Sequence, residues 1–333
     1  MTASIGTTPE ASIGTTPEAS IGIDVGGTKV LGVVLEADGT VAAEARVATP
    51  AGDGPLVDAL TGVVAELDAA ADGRGTRLPV GVGAPGLVDV GGTVRFAPNL
   101  AGVRGLDLVG RLGARLGGRR VVADNDATCA GWAEVRHGAA RGAGHVLMVT
   151  LGTGIGGALV CDGRLMRGAN GFAGEIGHMV VDPGGPPCPC GRSGCWERYA
   201  SGSGLGRLAR EAAHAGQSDL LVDLAGGDPE GVRGEHVTAA AASGDPGAVG
   251  VLGRFAGWLA LGLANLANAL DPELIVIGGG LVEARELLLP PIREEFGRMV
   301  EAGSARPPIR IEAAALGERA GAIGAAVLAA EAA

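Results

Sequence analysis

Ile21-Gly-Ile-Asp-Val-Gly-Gly-Thr-Lys29 is the stretch that decides the fold, because an apolar strand there ends in a glycine turn. The apolar run VLGVVLEADG follows at once, so the turn connects two strands. A similar order returns at residues 145–157, HVLMVTLGTGIGG, and continues into ALVCDG. Each half of the chain therefore opens with a strand, a Gly/Thr-rich turn and a strand. This repetition predicts two similar lobes that face each other across a cleft.

Helix and strand patterns alternate between these two openings. The pattern predicts a hairpin at Asp38-Gly39, and the alternation indicates an α/β fold with a mixed sheet. The predicted segments are helices at 55–71 and 106–116 and strands at 79–82 and 120–123. We place the boundary between the lobes just after Asp126 and expect an Ala-rich helix at 317–330 to return to the first lobe. The small lobe is then 20–127 plus 318–333, and the large lobe is 128–317.

Composition narrows the class of protein. The formal net charge is −11, and Lys29 is the single lysine, so the surface repels nucleic acid phosphates. The first twenty residues lack the pattern of a signal peptide, and the apolar stretch 255–270 is shorter than the ~20 residues of a membrane span. We expect a cytoplasmic protein without nucleic acid or membrane partners. The repeated ASIGTTPE within residues 1–19 predicts a disordered tail.

Three glycine-rich turns are candidate nucleotide contacts. Glycines allow backbone N–H groups to approach phosphate oxygens, and Asp24 beside an anion requires a divalent cation such as Mg²⁺. Neither of the first two turns matches a Walker loop or a dinucleotide fingerprint. Ordinary turns remain the alternative for each, and for the third, expected at adenine or ribose, that alternative is nearly as strong. The candidate residues are Asp24, Gly26, Gly27, Thr28 and Lys29; Gly152, Thr153 and Gly154; and Gly278, Gly279 and Gly280.

A carboxylate ends the predicted strand at Val121-Val122. Asp126 is the candidate general base that takes a proton from a sugar hydroxyl, and Asn125 can both donate to and accept from such a hydroxyl. The alternative is a helix N-cap. Because three polar residues are consecutive at 124–126, one cap and one base can coexist.

A cysteine cluster follows the motif Glu-Ile-Gly-His at 175–178. His178, Cys188, Cys190 and Cys195 have the spacing of a closed, structural Cys₃His zinc site, although unpaired buried cysteines are the alternative. If one ring nitrogen of His178 binds zinc, the other becomes an oriented donor. Zinc would then fix a sugar-binding wall of Glu175, His178 and Glu197, unless these carboxylates simply lie on a solvated loop.

Together these segments resemble the ROK family of repressors and sugar kinases. The segments DVGGTK, GAPGLVD, DNDA, LGTGIGG, EIGH…CPCGRSGCWE and IVIGGG occur in the order typical of that family across residues 20–330. The resemblance implies an actin-like ATPase (ribonuclease H-like) fold, the phosphate loops, the base and the zinc ligands named above. It also implies sugar contacts at Gly86, Asn99, Asn125, Asp126, Glu175, His178 and Glu197.

The activity implied by the resemblance is ATP-dependent phosphorylation of glucose at its 6-hydroxyl, in a homodimer or homotetramer. Fructose, mannose, N-acetylmannosamine or allose could replace glucose, and polyphosphate could replace ATP. A sugar-responsive repressor is the rival from another class. It would carry a winged helix-turn-helix of about 60–80 residues before the first phosphate strand, and only about 20 residues precede Ile21.

Overall fold

The computed structural model describes residues 19–71 and 77–332. The strands are β1 Ser20–Val25, β2 Lys29–Leu35, β3 Val41–Ala48, β4 Val80–Ala84, β5 Leu87–Val88, β6 Thr93–Phe96, β7 Leu106–Asp107, β8 Val121–Asn125, β9 Val146–Leu151, β10 Ile155–Cys161, β11 Arg164–Leu165, β12 Leu274–Gly278 and β13 Arg310–Ala313. The helices are α1 Asp53–Ala70, α2 Leu108–Arg115, α3 Asp126–His137, α4 Glu197–Ala200, α5 Gly202–His214, α6 Asp219–Leu224, α7 Gly234–Ala242, α8 Pro246–Leu270, α9 Arg285–Met299 and α10 Ala320–Glu331.

Two five-stranded sheets have the same topology. Their strand orders are β3-β2-β1-β4-β8 and β11-β10-β9-β12-β13. In each sheet the first three strands in sequence form an antiparallel meander, a fourth strand pairs in parallel with the first, and a fifth pairs in parallel with the fourth. The repetition predicted from the two opening motifs is therefore a repetition of sheet topology. The third sheet, β5-β6-β7, extends the first half.

Helices α3 and α10 pack against each other between the two large sheets. A buried cluster joins side chains of β2, α3, β9, β10, β12 and α10. The close crossing requires glycine: a β-carbon at Gly324 of α10 would lie only 1.7 Å from the carbonyl oxygen of Cys129 in α3. Helix α10 also packs on β1 and β4 of the first sheet, and its assignment to the first lobe stays a prediction. The exact lobe boundaries remain a prediction.

Helix α8 is the longest helix among the described residues. It begins earlier than the apolar stretch indicated, because Asp245 caps it through the Ala248 N–H and Pro246 occupies its first position. By length and composition alone it could cross a membrane, but 56% of its most apolar window is buried. Phe255 and Leu259 are fully buried, whereas Leu270, at the end of the helix, is exposed.

Most other predicted segments match the structure to within a few residues. The predicted helix at 106–116 is shorter, because residues 106 and 107 pair with β6 as strand β7 and Asp107 caps α2 through the Gly110 N–H. The predicted disordered tail lies outside the described residues, except for Ala19. This residue is partly buried against the hydrophobic core of the first sheet.

Candidate active site between the two sheets

The candidate site residues gather at the carboxyl ends of parallel strands. In the first sheet, β1, β4 and β8 all run in one direction and end beside Asp24, Gly86 and Asp126. In the second sheet, β9 and β12 end at the two glycine turns. Ligands of open α/β sheets bind at such edges, where loops diverge and backbone groups are free.

The first phosphate loop is a tight hairpin connection between β1 and β2. Gly26 N–H donates to the Lys29 carbonyl at 2.9 Å, and the Thr49 hydroxyl donates to the Gly26 carbonyl at 2.7 Å. In the described part of the chain, the N–H groups of Gly27 and Thr28 donate to no protein acceptor, and both residues are exposed. Two anchored ends with free donors between them form a suitable cradle for phosphate.

Asp24 lies at the end of β1, against the first turn of α10. A β-carbon at Gly321 would be 2.6 Å from the Asp24 Cγ, so only glycine allows the carboxylate to approach this closely. Burial and, second to it, the charge of Asp126 raise the pKa of Asp24 to about 7, while Lys29 opposes the shift. Mg²⁺ prefers carboxylate oxygens as ligands, and the negative charge of Asp24 is only partly balanced by Lys29. Asp24 is therefore a suitable ligand for Mg²⁺.

Lys29, at the start of β2, forms an ion pair with a glutamate near the start of α10. Its Nζ lies 2.7 Å from Glu318 Oε2, and Arg46 binds the other oxygen of Glu318 at 2.5 Å. Hydrogen bonds from Arg46 and Lys29 lower the pKa of Glu318 to about 2. The cation predicted to meet the nucleotide is therefore paired with Glu318. Sequence reasoning missed Glu318, for which no motif was available.

The sequence left open which of the polar residues caps the helix and which is the candidate base. Asn125 and Asp126 take these two positions separately. The Asn125 side chain caps α3, accepting from the Thr128 N–H at 3.0 Å and donating to the Gly86 carbonyl at 3.1 Å. Asp126 is the first residue of α3, and burial raises the pKa of its carboxyl, opposed by hydrogen bonds from backbone N–H groups. Asn125 is thus the cap, and Asp126 is a buried carboxylate whose pKa lies above the usual value of an aspartate.

Gly86 and Asn99 lie on neighbouring turns beside this pair. Gly86 has a φ of +86°, and a β-carbon there would be 2.1 Å from the Phe96 carbonyl oxygen. Asn99 is exposed, and its carbonyl oxygen would lie 3.1 Å from a β-carbon at Gly27. Gly86 and Asn99 were both expected to contact the sugar. The structure places Gly86 beside Asn125 and Asn99 beside Gly27 of the first phosphate loop.

The second phosphate loop connects β9 to β10. Gly152 N–H donates to the Gly154 carbonyl at 3.1 Å, and the Gly202 N–H binds the Gly152 carbonyl at 2.8 Å. Among the described residues, no acceptor binds the N–H groups of Thr153 and Gly154.

The third glycine cluster lies directly beside the second loop. A β-carbon at Gly279 would lie 2.4 Å from the Leu151 carbonyl oxygen at the end of β9, and Gly279 has a φ of +86°. Space around Gly280 is open. Its neighbour Gly278 ends β12, so all three glycines lie at the edge of the second sheet.

The cysteine cluster forms one compact group of donor atoms. Those of His178, Cys188, Cys190 and Cys195 all lie within 4.8 Å of one another. Cys190 Sγ is 3.5 Å from Cys195 Sγ, and Cys188 Sγ is 3.7 Å from His178 Nδ1. A tetrahedral ion with bonds of about 2.0 to 2.3 Å separates its ligands by about 3.3 to 3.8 Å, so this donor set fits zinc.

The proposed sugar wall extends from this cluster. His178 Nδ1 faces the cysteines, while Nε2 lies 3.9 Å from Glu175 Oε2. Glu197 Oε1 lies 3.6 Å from His178 Nδ1, and its other oxygen would be 2.6 Å from a β-carbon at Gly154. Glu197 therefore reaches from the cysteine cluster to the second phosphate loop.

Asp126 connects the two halves of the site. Its charge raises the pKa of Asp24 in the first half and that of Glu175 in the second, behind burial as the main cause in each case. In addition, a β-carbon at Gly156 of β10 would lie 2.7 Å from the Ala127 Cβ. The candidate base therefore lies between the nucleotide loops and the sugar wall.

An ion pair across the two halves was not visible in the sequence. Asp124, 6% exposed, accepts from Arg167 Nε at 2.5 Å, and its other oxygen binds the Asn125 N–H at 2.8 Å. Close by, the Val90 N–H donates to the Asn170 carbonyl. No spacing rule relates residues 43 positions apart, so sequence patterns gave no indication of the pair.

Two sheets of the same topology, with the candidate site residues at the carboxyl ends of their parallel strands, define a two-lobed protein of the actin-like ATPase fold. Within that class the chain belongs to the ROK family, whose model matches residues 20–332. The chain is 40% identical over 317 residues to a glucokinase of Streptomyces coelicolor, covering 93% of this chain and 96% of that protein.

Two further relatives bear on substrate choice. The crystal structure of a ROK family glucokinase from Streptomyces griseus in complex with glucose and AMPPNP matches with a TM-score of 0.83 at 41% identity, covering 94% of this chain and 99% of that one. An N-acetylmannosamine kinase of Shigella boydii is 35% identical over 267 residues, covering 78% of this chain and 83% of that protein.

Proposed function

We propose that this protein is an ATP-dependent glucokinase that phosphorylates the 6-hydroxyl of glucose. One observation carries the proposal: Asp126 follows β8 at the same carboxyl edge as Asp24, and the adjacent Ala127 lies against Gly156 of the second sheet. A base between an anion cradle and a polar wall suits phosphoryl transfer to an alcohol. The similarity to the glucokinase with bound glucose and AMPPNP supports the choice of sugar and donor.

In the proposed reaction Asp126 accepts the proton of the 6-hydroxyl while that oxygen attacks the γ-phosphorus. A bond forms between O6 and phosphorus, the bond between the γ-phosphorus and the bridging oxygen breaks, and ADP leaves. The raised pKa of Asp126 makes it a stronger base than an exposed aspartate. Asn125, Gly86, Asn99, Glu175, His178 and Glu197 would orient the sugar hydroxyls.

The nucleotide would bind between the two sheets. The free N–H groups of Gly27, Thr28, Thr153 and Gly154 would bind phosphate oxygens. Lys29 would leave Glu318 for the same anion, and Gly278, Gly279 and Gly280 would lie along the adenosine. Asp24 would hold Mg²⁺ through water, and the cation supplies neutralisation of the phosphate charge.

Zinc, if bound by His178, Cys188, Cys190 and Cys195, supplies rigidity. The four protein ligands would close its coordination shell, so its role is structural. With Nδ1 of His178 bound to zinc, its Nε2 would stay oriented towards Glu175 and the sugar wall.

The proposed setting is that of a cytoplasmic enzyme at the entry of glycolysis, acting as a homodimer or homotetramer without nucleic acid partners. The lobes would be residues 20–127 plus 318–333 and residues 128–317. Closure of the lobes would exclude water from the reaction.

A coupled assay with purified protein tests the proposal. We expect the highest kcat/KM with glucose and ATP, in a panel that also contains mannose, fructose, allose and N-acetylmannosamine, with polyphosphate as a second donor. A higher kcat/KM for another hexose would replace glucose as the substrate. If no hexose were phosphorylated, while specific operator DNA were shifted in a gel, the protein would belong to the repressors of the family.

A further inference from the structure

His145, Cys161 and Asp162 form a second group of metal-ligating side chains, at the opposite end of β9 and β10 from the second phosphate loop. Their donor atoms all lie within 4.8 Å of one another. His145 precedes β9 and Gly152 follows it, so the six residues of the strand place the group about 20 Å from that loop. The group shares no residue with the cysteine cluster at His178.

The strand register and a tight turn fix the backbone positions of all three residues. The register of β9 and β10 pairs Val160 with Val146, which sets Cys161 directly opposite His145 on the same face of the sheet. Asp162 and Gly163 have φ values of 50° and 70° and connect Cys161 to Arg164 as a two-residue turn of type I′.

Main-chain hydrogen bonds also hold the His145 segment. The Gly163 N–H donates to the Gly144 carbonyl at 2.9 Å, and Glu273 Oε1 accepts from the N–H groups of Gly144 and His145. The His145 carbonyl accepts from the Glu273 N–H at 3.0 Å. The positions of the donor atoms therefore depend on a sheet, a tight turn and a fixed carboxylate.

The distances suit a small divalent cation. His145 Nε2 lies 3.3 Å from Asp162 Oδ1, and Cys161 Sγ lies 4.0 Å from Asp162 Oδ2. A tetrahedral zinc ion with bonds of about 2.0 to 2.3 Å requires donor separations of about 3.3 to 3.8 Å, which a small side-chain rotation provides. Imidazole, thiolate and carboxylate together favour zinc over Mg²⁺ or Ca²⁺, which prefer oxygen ligands.

We propose that His145, Cys161 and Asp162 bind a second zinc ion, independent of the cysteine cluster. The site is open to solvent, because the side chains of His145 and Asp162 are 45% and 84% exposed. With three protein ligands, water would take the fourth position, so the affinity is lower than that of a closed four-ligand site. Since the site is remote from the cleft, binding there leaves glucose phosphorylation unchanged.

The experiment compares zinc content among variants of the full-length protein after dialysis against buffered free Zn²⁺. We expect Cys161→Ser and His145→Ala each to bind one equivalent less than the unsubstituted protein at micromolar free zinc. His214→Ala is the matched control, because His214 pairs with Glu230 on the surface at 2.7 Å without a cysteine nearby, and it should bind the full amount. Equal zinc content in Cys161→Ser and the unsubstituted protein would overturn the proposal.

Alkylation of Cys161 gives an independent measurement. Zinc bound at the site should slow the reaction of Cys161 with iodoacetamide at least tenfold, as followed by peptide mass spectrometry, whereas Mg²⁺ should not. The rate in His145→Ala should be insensitive to micromolar zinc. If zinc failed to protect Cys161 in the folded, active protein, the residue would be only a surface thiol.

Discussion

The two sheets share one strand order, yet their carboxyl edges carry different chemistry. The first edge ends in carboxylates, Asp24 and Asp126, whose pKa values are raised by burial. The second ends in the uncharged loop Gly152–Gly154, and its polar groups come from the inserted cysteine cluster at His178. The same topology thus carries different groups: the first half would supply the base and the cation ligand, and the second would supply a further phosphate loop and the sugar contacts beside the cysteine cluster.

The largest expected effect is on Asp126. Asp126→Ala removes the proposed base, so we expect kcat to fall by about 10²–10⁴-fold, with little change in the thermal unfolding midpoint. Steady-state kinetics with glucose and ATP measure the loss. The control, Asp58→Ala, removes a carboxylate that is 58% exposed on α1 and should leave kcat unaltered. An unchanged kcat in Asp126→Ala would refute the assignment of the base.

Asp24 predicts a pH dependence of stability in the protein without nucleotide or Mg²⁺. Its folded-state pKa, about 7, is above its unfolded value of 3.8, so its contribution is fully present below pH 3.8 and is lost as the pH rises through 7. Asp24→Asn should therefore flatten the loss of unfolding free energy between about pH 4 and 7, by at most about 4 kcal/mol. Urea unfolding at several pH values measures this. Identical pH profiles for both proteins would contradict the raised pKa.

The sequence allowed much of this comparison to be predicted. Repeated motifs at residues 21–29 and 145–157 predicted the glycine turns that end β1 and β9 and the shared topology of the two sheets, because glycine turns after apolar strands are local signals. The spacing of Cys188, Cys190 and Cys195 similarly predicted that these thiols gather with His178 in one group of donor atoms. The pairs Asp124 with Arg167 and Lys29 with Glu318 could not be predicted, since they join residues 43 and 289 positions apart through tertiary packing alone.

In the second half, Cys190→Ser should weaken recognition more than chemistry. Losing one of four ligands should lower zinc affinity, and the loosened His178 should raise the KM for glucose about 10- to 100-fold. Zinc content and kinetics are measured on the same sample. Cys161→Ser is the control and should keep the glucose KM. If zinc were lost while the KM stayed constant, the cysteine cluster would not support the sugar wall.

The smallest expected effect concerns the ion pair between the halves. Arg167→Gln leaves Asp124 buried without its cation, so we expect the free energy of unfolding to fall by about 1–2 kcal/mol. The double variant Arg167→Gln with Asp124→Asn should recover much of that loss, since an amide needs no counter-charge. Chemical denaturation of the three proteins tests this. Additive losses in the double variant would mean that the two residues are not coupled.

The central claim is that one sugar contacts both halves at once, with Asp126 at the reacting hydroxyl. A crystal structure with glucose and a non-hydrolysable ATP analogue measures this directly. We expect an Asp126 carboxylate oxygen about 2.6–3.2 Å from the glucose O6, and His178 and Glu175 within hydrogen-bonding distance of other hydroxyls of the same sugar. Glucose bound away from Asp126, or in contact with only one of the two halves, would contradict the account.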